Sequence, residues 1–341
     1  MTSRIGFCCK WLDHPGQMDG FKRLDEAKLL NTGATTVAWL NRQTRDVAEQ
    51  KLWDLMVQNI ESSRRLVEKV GAQHEHLRMV RLSSDILPMY TEPTYSYFWR
   101  RPDVVAYCEK GFRVVGSLAR DLGVRLDFHP GQFCVLASAS DDIVSRSIEE
   151  FEYHTDMARW LGFGNSWHDH GFGINVHLSG RGGPTKFLQT LSKLSPEARN
   201  LITIENDELT NGLDVTLAVA DHVALVLDIH HHWVNTGEYI EPTDDRAQRV
   251  VESWRGVRPL CHYSVSREDI LVDHPTGDRP DLATLLGRGH RKQHLRAHSD
   301  FYWNSAVNDW AATFADTWDI ECESKAKNLA SFDFAARAFQ K

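Results

Sequence analysis

The chain has 341 residues, 42% of them hydrophobic and 25% charged, with a formal net charge of −8 at pH 7. That length and apolar share can bury a large core and suit one elaborated domain better than two small ones. The acidic balance excludes a histone-like partner held by overall basicity, but not nucleic acid, because clustered carboxylates that hold cations make a metal enzyme look acidic.

The six cysteines (Cys8, Cys9, Cys108, Cys134, Cys261, Cys322) show no zinc-finger or Cys-x-x-Cys spacing and read as reduced thiols. The N-terminus lacks the apolar region of a signal peptide and no apolar run approaches membrane-spanning length, so an intracellular protein without membrane contact, acting as a monomer, is expected.

A first strand is expected at residues 4–9, followed by a loop elaboration over about residues 11–40. Between residues 44 and 70, Val47, Leu52, Leu55, Met56, Asn59, Ile60, Leu66 and Val70 recur at helical spacing, and Gly71 is placed to end the helix. A second strand at 77–82 opens into a loop with Tyr90, Tyr95, Tyr97, Phe98 and Trp99. Those aromatics either pack the loop or offer a stacking surface. Pro102 suits a helix start, and residues 103–123 continue it.

The third strand reaches His129-Pro-Gly-Gln-Phe133, whose turn should push Gln132 and Phe133 outward. A helix over 140–162 carries His154, read as structural. Strand four, 173–177, leads into a Gly-rich loop whose Arg181 is placed to approach a phosphate. Strand five ends at Glu205, strand six at the triplet His230, His231 and His232, and strand seven at His262, with short helices at 213–220 and 244–254.

A second elaboration, about residues 267–300, carries a basic run over 288–298 with Arg291, Lys292 and Arg296, placed to meet a polyanion. Strand eight ends at Glu323, beside Lys325 and Lys327, and a helix over 329–339 closes the chain. Strand and helix alternate throughout. The expected fold is therefore a single (β/α)8 TIM barrel spanning residues 1–341.

Six of these strands stop in a metal-ligand residue: His129, His177, Glu205, Asp228 followed by His231, His262 and Glu323. In a parallel barrel those ends share one face, where such folds keep their chemistry. Mixed imidazole and carboxylate donors suit zinc, manganese or iron.

The motifs His129-Pro-Gly-Gln-Phe, Val176-His-Leu-Ser-Gly, Ile204-Glu-Asn-Asp-Glu, Leu227-Asp-Ile-His-His-His and Ile320-Glu-Cys-Glu-Ser-Lys-Ala-Lys closely resemble the strand-end motifs of the UV damage endonucleases. That family shares a barrel and a trinuclear metal site with endonuclease IV. The resemblance runs from about Ile5 to the last strand.

The resemblance implies an endonuclease, using manganese or else zinc or iron, that nicks damaged double-stranded DNA on the 5′ side of a UV photoproduct or abasic site and leaves a 3′-hydroxyl and a 5′-phosphate. Carried over by position, His129, His177 and Glu205 hold one ion, Glu205, Asp228, His262 and Glu323 a second, and His231 and His298 a third. Lys325 and Lys327 offset phosphate charge, and Gln132 and Phe133 probe the damaged dinucleotide. Three positions depart from the family pattern: Phe7 for a Tyr, Glu92 for an active-site His, and Leu260 for a Lys.

Two other enzymes on barrels with metal-binding strand ends compete with this reading. A xylose-isomerase-type isomerase or epimerase would need only one or two ions and a closed pocket. A multinuclear iron oxidase acting on a peptide would consume oxygen. A non-catalytic binding scaffold has no use for a full ligand set.

Overall fold

Parallel strands covered on both faces need apolar side chains outward, where helices pack, and a second set of side chains that fills the barrel axis. The computed structural model, which describes residues 2–15 and 25–339, has this arrangement. Its strands are β1 (Ile5–Cys8), β2 (Met79–Arg81), β3 (Arg125–Phe128), β4 (Gly173–His177), β5 (Ile202–Glu205), β6 (Ala224–Asp228), β7 (Leu260–Tyr263) and β8 (Asp319–Cys322). They pair in chain order, all parallel, and β8 returns to β1 to close the barrel.

Alternation along each strand sorts the two sets. Phe7, Val80, Leu126, Ile174, Ile204, Leu227, Tyr263 and Ile320 join the main core between sheet and helices. Inward, Met79, Ala224, Val226 and Leu260 pack with Trp254 as an apolar plug. The remaining inward positions are polar yet buried, among them Arg81, Arg125, Asp127, Asn175, Glu205, Asp228, His262, Asp319 and Glu321.

At the N-terminal end of the barrel, Asp319 accepts bonds from Arg125 Nη1 at 2.9 Å and Arg258 Nε at 3.0 Å. Buried charges persist only when paired in this way. The polar axis thus begins beneath the plug.

The first long helix, α1 (Arg45–Gly71), is capped by Thr44, whose side chain accepts from Val47 N–H. Its buried stripe contains Leu52, Leu55, Met56, Ile60, Leu66 and Val70, but Val47 is 47% exposed. Asn59 is buried as expected, for a polar reason: its amide bonds Gly33 and the Ile86 carbonyl and so ties two loops together. Gly71 does not end the helix by adopting a left-handed turn, since the capping residue Ala72 has φ −77°. Its smallness is what matters, because a Cβ there would lie 2.4 Å from Leu122 of the next helix.

That helix, α2 (Pro102–Leu122), starts on a proline and stops at Gly123 with φ 66°. Next comes α3 (Asp141–Leu161), in which His154 is buried, bonds the Glu150 carbonyl at 2.8 Å and packs edge-on against Phe128. Tyr95, Phe98 and Trp99 are buried and Tyr90 stacks on Tyr153, so the aromatic loop is packing and not a stacking surface.

After β6, α4 (Ile229–Thr236) follows at once, with Asp228 as its N-cap. In the second elaboration, α5 (Leu282–Gly287) and α6 (Lys292–Leu295) bury Leu282, Leu285 and Leu295 against Trp233 and Val234 of α4, a small core of its own. A bridge from Ser266 to His298 returns the chain to the barrel mouth. The last helix is α7 (Lys327–Ala338). Among the described residues, no helix is long and apolar enough to cross a membrane. All six cysteines are free.

Candidate metal centre

The C-terminal ends of β3, β4 and β5 bring His129, His177 and Glu205 together, with candidate ligand atoms all within 4.8 Å of one another. His129 Nε2 stands 3.4 Å and His177 Nε2 3.8 Å from Glu205 Oε2. His129 Nδ1 bonds the Pro130 carbonyl at 2.9 Å, which places the proton there and leaves Nε2 as the free donor atom. Asn175, two positions before His177 on β4, donates to Glu205 Oε2 and is itself held by Thr203.

The other half of the rim forms a second group, Glu205, Asp228 and His262. His262 Nδ1 lies 3.2 Å from Glu205 Oε2 and 3.5 Å from Glu323 Oε1. Beneath them sits Arg81, which no motif singles out. Its guanidinium donates to Asp127 at 3.1 Å, Glu321 at 3.2 Å and Glu323 at 2.5 Å, and Nη2 lies 2.8 Å from His262 Nε2. A fixed cation thus joins the buried acids of the barrel axis to the rim.

The His triplet does not end a strand. Asp228 accepts from His231 N–H at 2.6 Å and starts α4, so the three imidazoles leave the first turn in different directions. Only His231 faces the site, with Nδ1 3.1 Å from Glu205 Oε1. His230 bonds the Leu295 carbonyl and His232 bonds Glu238.

A third group, His177, Glu208 and His231, adjoins the first two, and Glu208 is a residue that the sequence pattern did not single out. His298 and Glu323 line the same cleft of about 570 Å³ without belonging to any of the three groups. The His298 ring lies edge-on to His230 at 6.3 Å.

Around the mouth, Gln132 lines the cleft and Phe133 is 84% exposed, as the outward turn required. Arg181 and Arg291 are exposed, and Lys292 Nζ bonds the Asn235 carbonyl at 2.5 Å. Arg296 pairs with Glu208 at 2.6 Å instead of standing free, and Lys325 pairs with Asp300 at 3.3 Å. Lys327 holds a left-handed backbone, φ 52°, at the start of α7.

The three departures fall away from these groups. Phe7 points outward and packs edge-on against Trp11 and Phe332. Glu92 accepts from the backbone of Thr94 and Tyr95 within its own turn. Leu260 belongs to the inner plug.

The donor set fits divalent cations. Asp228 Oδ2, His262 Nδ1 and His177 Nδ1 are buried without a hydrogen-bond partner, a costly state for polar atoms unless another ligand completes them. Burial opposes ionisation of Glu205, but His262 and His177 outweigh it and hold the carboxyl well below its usual range. Asp228, buried and close to the charges of Glu205 and Glu323, is pushed up to about 7. One end of a closed barrel thus gathers acids and imidazoles in excess of any internal use.

A (β/α)8 barrel with overlapping imidazole and carboxylate groups at its C-terminal rim defines the class, one built to gather cations. Within that class the particular assignment comes from sequence: the model of the family described as UV-endonuclease UvdE matches residues 23–340, and the chain belongs to that family. The UV DNA damage endonucleases of Bacillus thuringiensis subsp. konkukian (strain 97-27) and Bacillus cereus (strain Q1) are each 26% identical over 312 residues, covering 88% of this chain and 86% of theirs. The crystal structure of SacUVDE superposes with a TM-score of 0.70 at 17% identity, over 98% of this chain and 97% of that one, a likeness of fold.

Proposed function

We propose that this chain is a metal-dependent DNA repair endonuclease, which nicks double-stranded DNA immediately 5′ of a UV photoproduct, and also at abasic sites, to leave a 3′-hydroxyl and a 5′-phosphate. The observation that carries the reading is the convergence of His129, His177, Glu205, Asp228 and His262 on one rim, with buried polar atoms left unpartnered. Family membership supplies the substrate class.

His129, His177 and Glu205 would hold one divalent ion, and Glu205, Asp228, His262 and Glu323 a second, with Glu205 bridging. His231 would hold a third, together with His298. Such ions, manganese first and zinc or iron as alternatives, supply a hydroxide at neutral pH and stabilise both oxygens of an in-line displacement.

The chain's own residues do the rest. Asn175 holds the bridging carboxylate of Glu205, Arg81 orients Glu323, and Lys327, with Lys325 once it leaves Asp300, faces the phosphate charge. Gln132 and Phe133 enter the duplex, where an aromatic wedge replaces lost stacking. Arg181, Arg291, Lys292 and Arg296 follow the backbone.

A nicking assay on duplexes carrying one photoproduct, one abasic site or no lesion, with Mn²⁺ and then with EDTA, tests the proposal. A metal-dependent cut immediately 5′ of the lesion is expected. Metal-loaded protein that cuts none of the three duplexes would refute it.

A further inference from the structure

We infer that Glu208 is a ligand of the third divalent ion, beside His231, and that Arg296 competes with that ion for Glu208. The inference rests on the proposed metal-dependent nuclease and adds to it a ligand and an opposing cation.

Glu208 follows the bridging Glu205 by three residues, in the loop after β5, and is buried, 6% exposed. Its Oε2 faces His231 Nε2 at 3.8 Å, too far for a hydrogen bond. It is nevertheless a separation that two ligands of one ion bring about, at metal to ligand distances of roughly 2.0–2.2 Å. The candidate ligand atoms of His177, Glu208 and His231 lie within 4.8 Å of one another. His231 Nδ1 lies 3.1 Å from both the Asn206 carbonyl and Glu205 Oε1, which fixes the ring with Nε2 toward Glu208.

His298 lines the cleft but stands outside this group, with its ring turned edge-on to His230. A carboxylate on the β5 loop therefore stands beside His231 at the place proposed for that ion.

The other oxygen of Glu208 is taken. Arg296 Nη1 donates to Oε1 at 2.6 Å, from the end of α6, with 48% of its side chain exposed. A guanidinium on that carboxylate repels a dication at the same point and draws off the charge that would bind it. Because Arg296 reaches in from solvent, it can swing away as an ion enters. The elaboration that carries α6 thereby sets how tightly the outermost ion is held.

The test strips the full-length protein with a chelator, titrates it with Mn²⁺, reads free Mn²⁺ by electron paramagnetic resonance and total metal by mass spectrometry. Glu208→Gln should bind one ion fewer than wild type while the tighter ions keep their affinity. Glu208→Asp, which keeps the charge, should retain that ion more weakly. Arg296→Gln should keep the full number and bind the weakest ion about tenfold tighter.

If folded Glu208→Gln protein loads as many ions as wild type, equally tightly, Glu208 is only the salt-bridge partner of Arg296 and the inference fails. A wild type that loads Mn²⁺ and nicks damaged DNA beside such a variant overturns this inference alone. A wild type that neither binds Mn²⁺ nor nicks overturns the proposed function with it.

Discussion

Glu205 touches more of the site than any other side chain: His129, His177, His231 and His262 all lie within 4 Å of its carboxylate. Replacing it by Gln keeps the shape and removes the charge that holds those imidazoles around a cation. Nicking by Glu205→Gln should fall by at least about a hundredfold while circular dichroism reports an intact barrel. Wild-type rates from that folded variant would remove Glu205 from the centre. Phe133, 84% exposed beside the cleft, is tested by the ratio of nicking rates on damaged and undamaged duplex. Phe133→Ala should lower that ratio by the equivalent of about 1–3 kcal/mol, without changing metal content. The residues that end apolar runs were legible because a ligand closing a buried strand is out of place in a core. Arg81 was not legible, since a lone Arg in a short strand looks like a solvent-facing position until barrel closure turns it to the axis. Glu208 lies inside the motif that ends β5, but only the fold of its loop brings it to His231.

At the level of elements, the alternation of strand and helix was readable because a parallel strand is apolar on its outward face and a helix is not. What the pattern could not carry was where the chain turns. The His triplet extends an apolar strand in sequence, yet Asp228 caps a helix there and sends only His231 inward. The second elaboration likewise read as a basic segment, whereas its leucines build a small core on α4 and commit two of its cations to internal bonds. Its exposed edge carries Arg291, proposed above to follow the DNA backbone. Neutralising Arg291 and Lys292 together should reduce the slope of log binding constant against log salt by about one for each phosphate no longer neutralised, measured by fluorescence anisotropy on undamaged duplex. An unchanged slope would take α6 out of the interface.

For the molecule as a whole, the net charge of −8 counts carboxylates without the cations they would hold. Chelation should therefore lower the thermal midpoint, and an ion at a hundred times its dissociation constant restores about 2.7 kcal/mol, read by calorimetry with and without Mn²⁺. An acid limit is built in elsewhere, by two buried imidazoles that belong to none of the three ligand groups. Burial, chiefly, pushes His154 and His168 down to about 4, and each gives its Nδ1 to a backbone carbonyl of a nearby residue. In the unfolded chain an imidazole titrates near 6.5. The folded pKa is thus the depressed one, and the unfolded chain takes up the proton first as the pH falls. Their stabilising contribution is complete above about pH 6.5 and is lost progressively toward pH 4, to the extent of roughly 3 kcal/mol for each site. Chelated wild type should show a thermal midpoint that drops steeply across this window. A His154→Asn, His168→Asn variant, less stable at pH 7 through poorer packing, should show a shallower drop. Parallel curves for the two proteins would place the acid sensitivity in other groups, foremost the imidazoles of the rim.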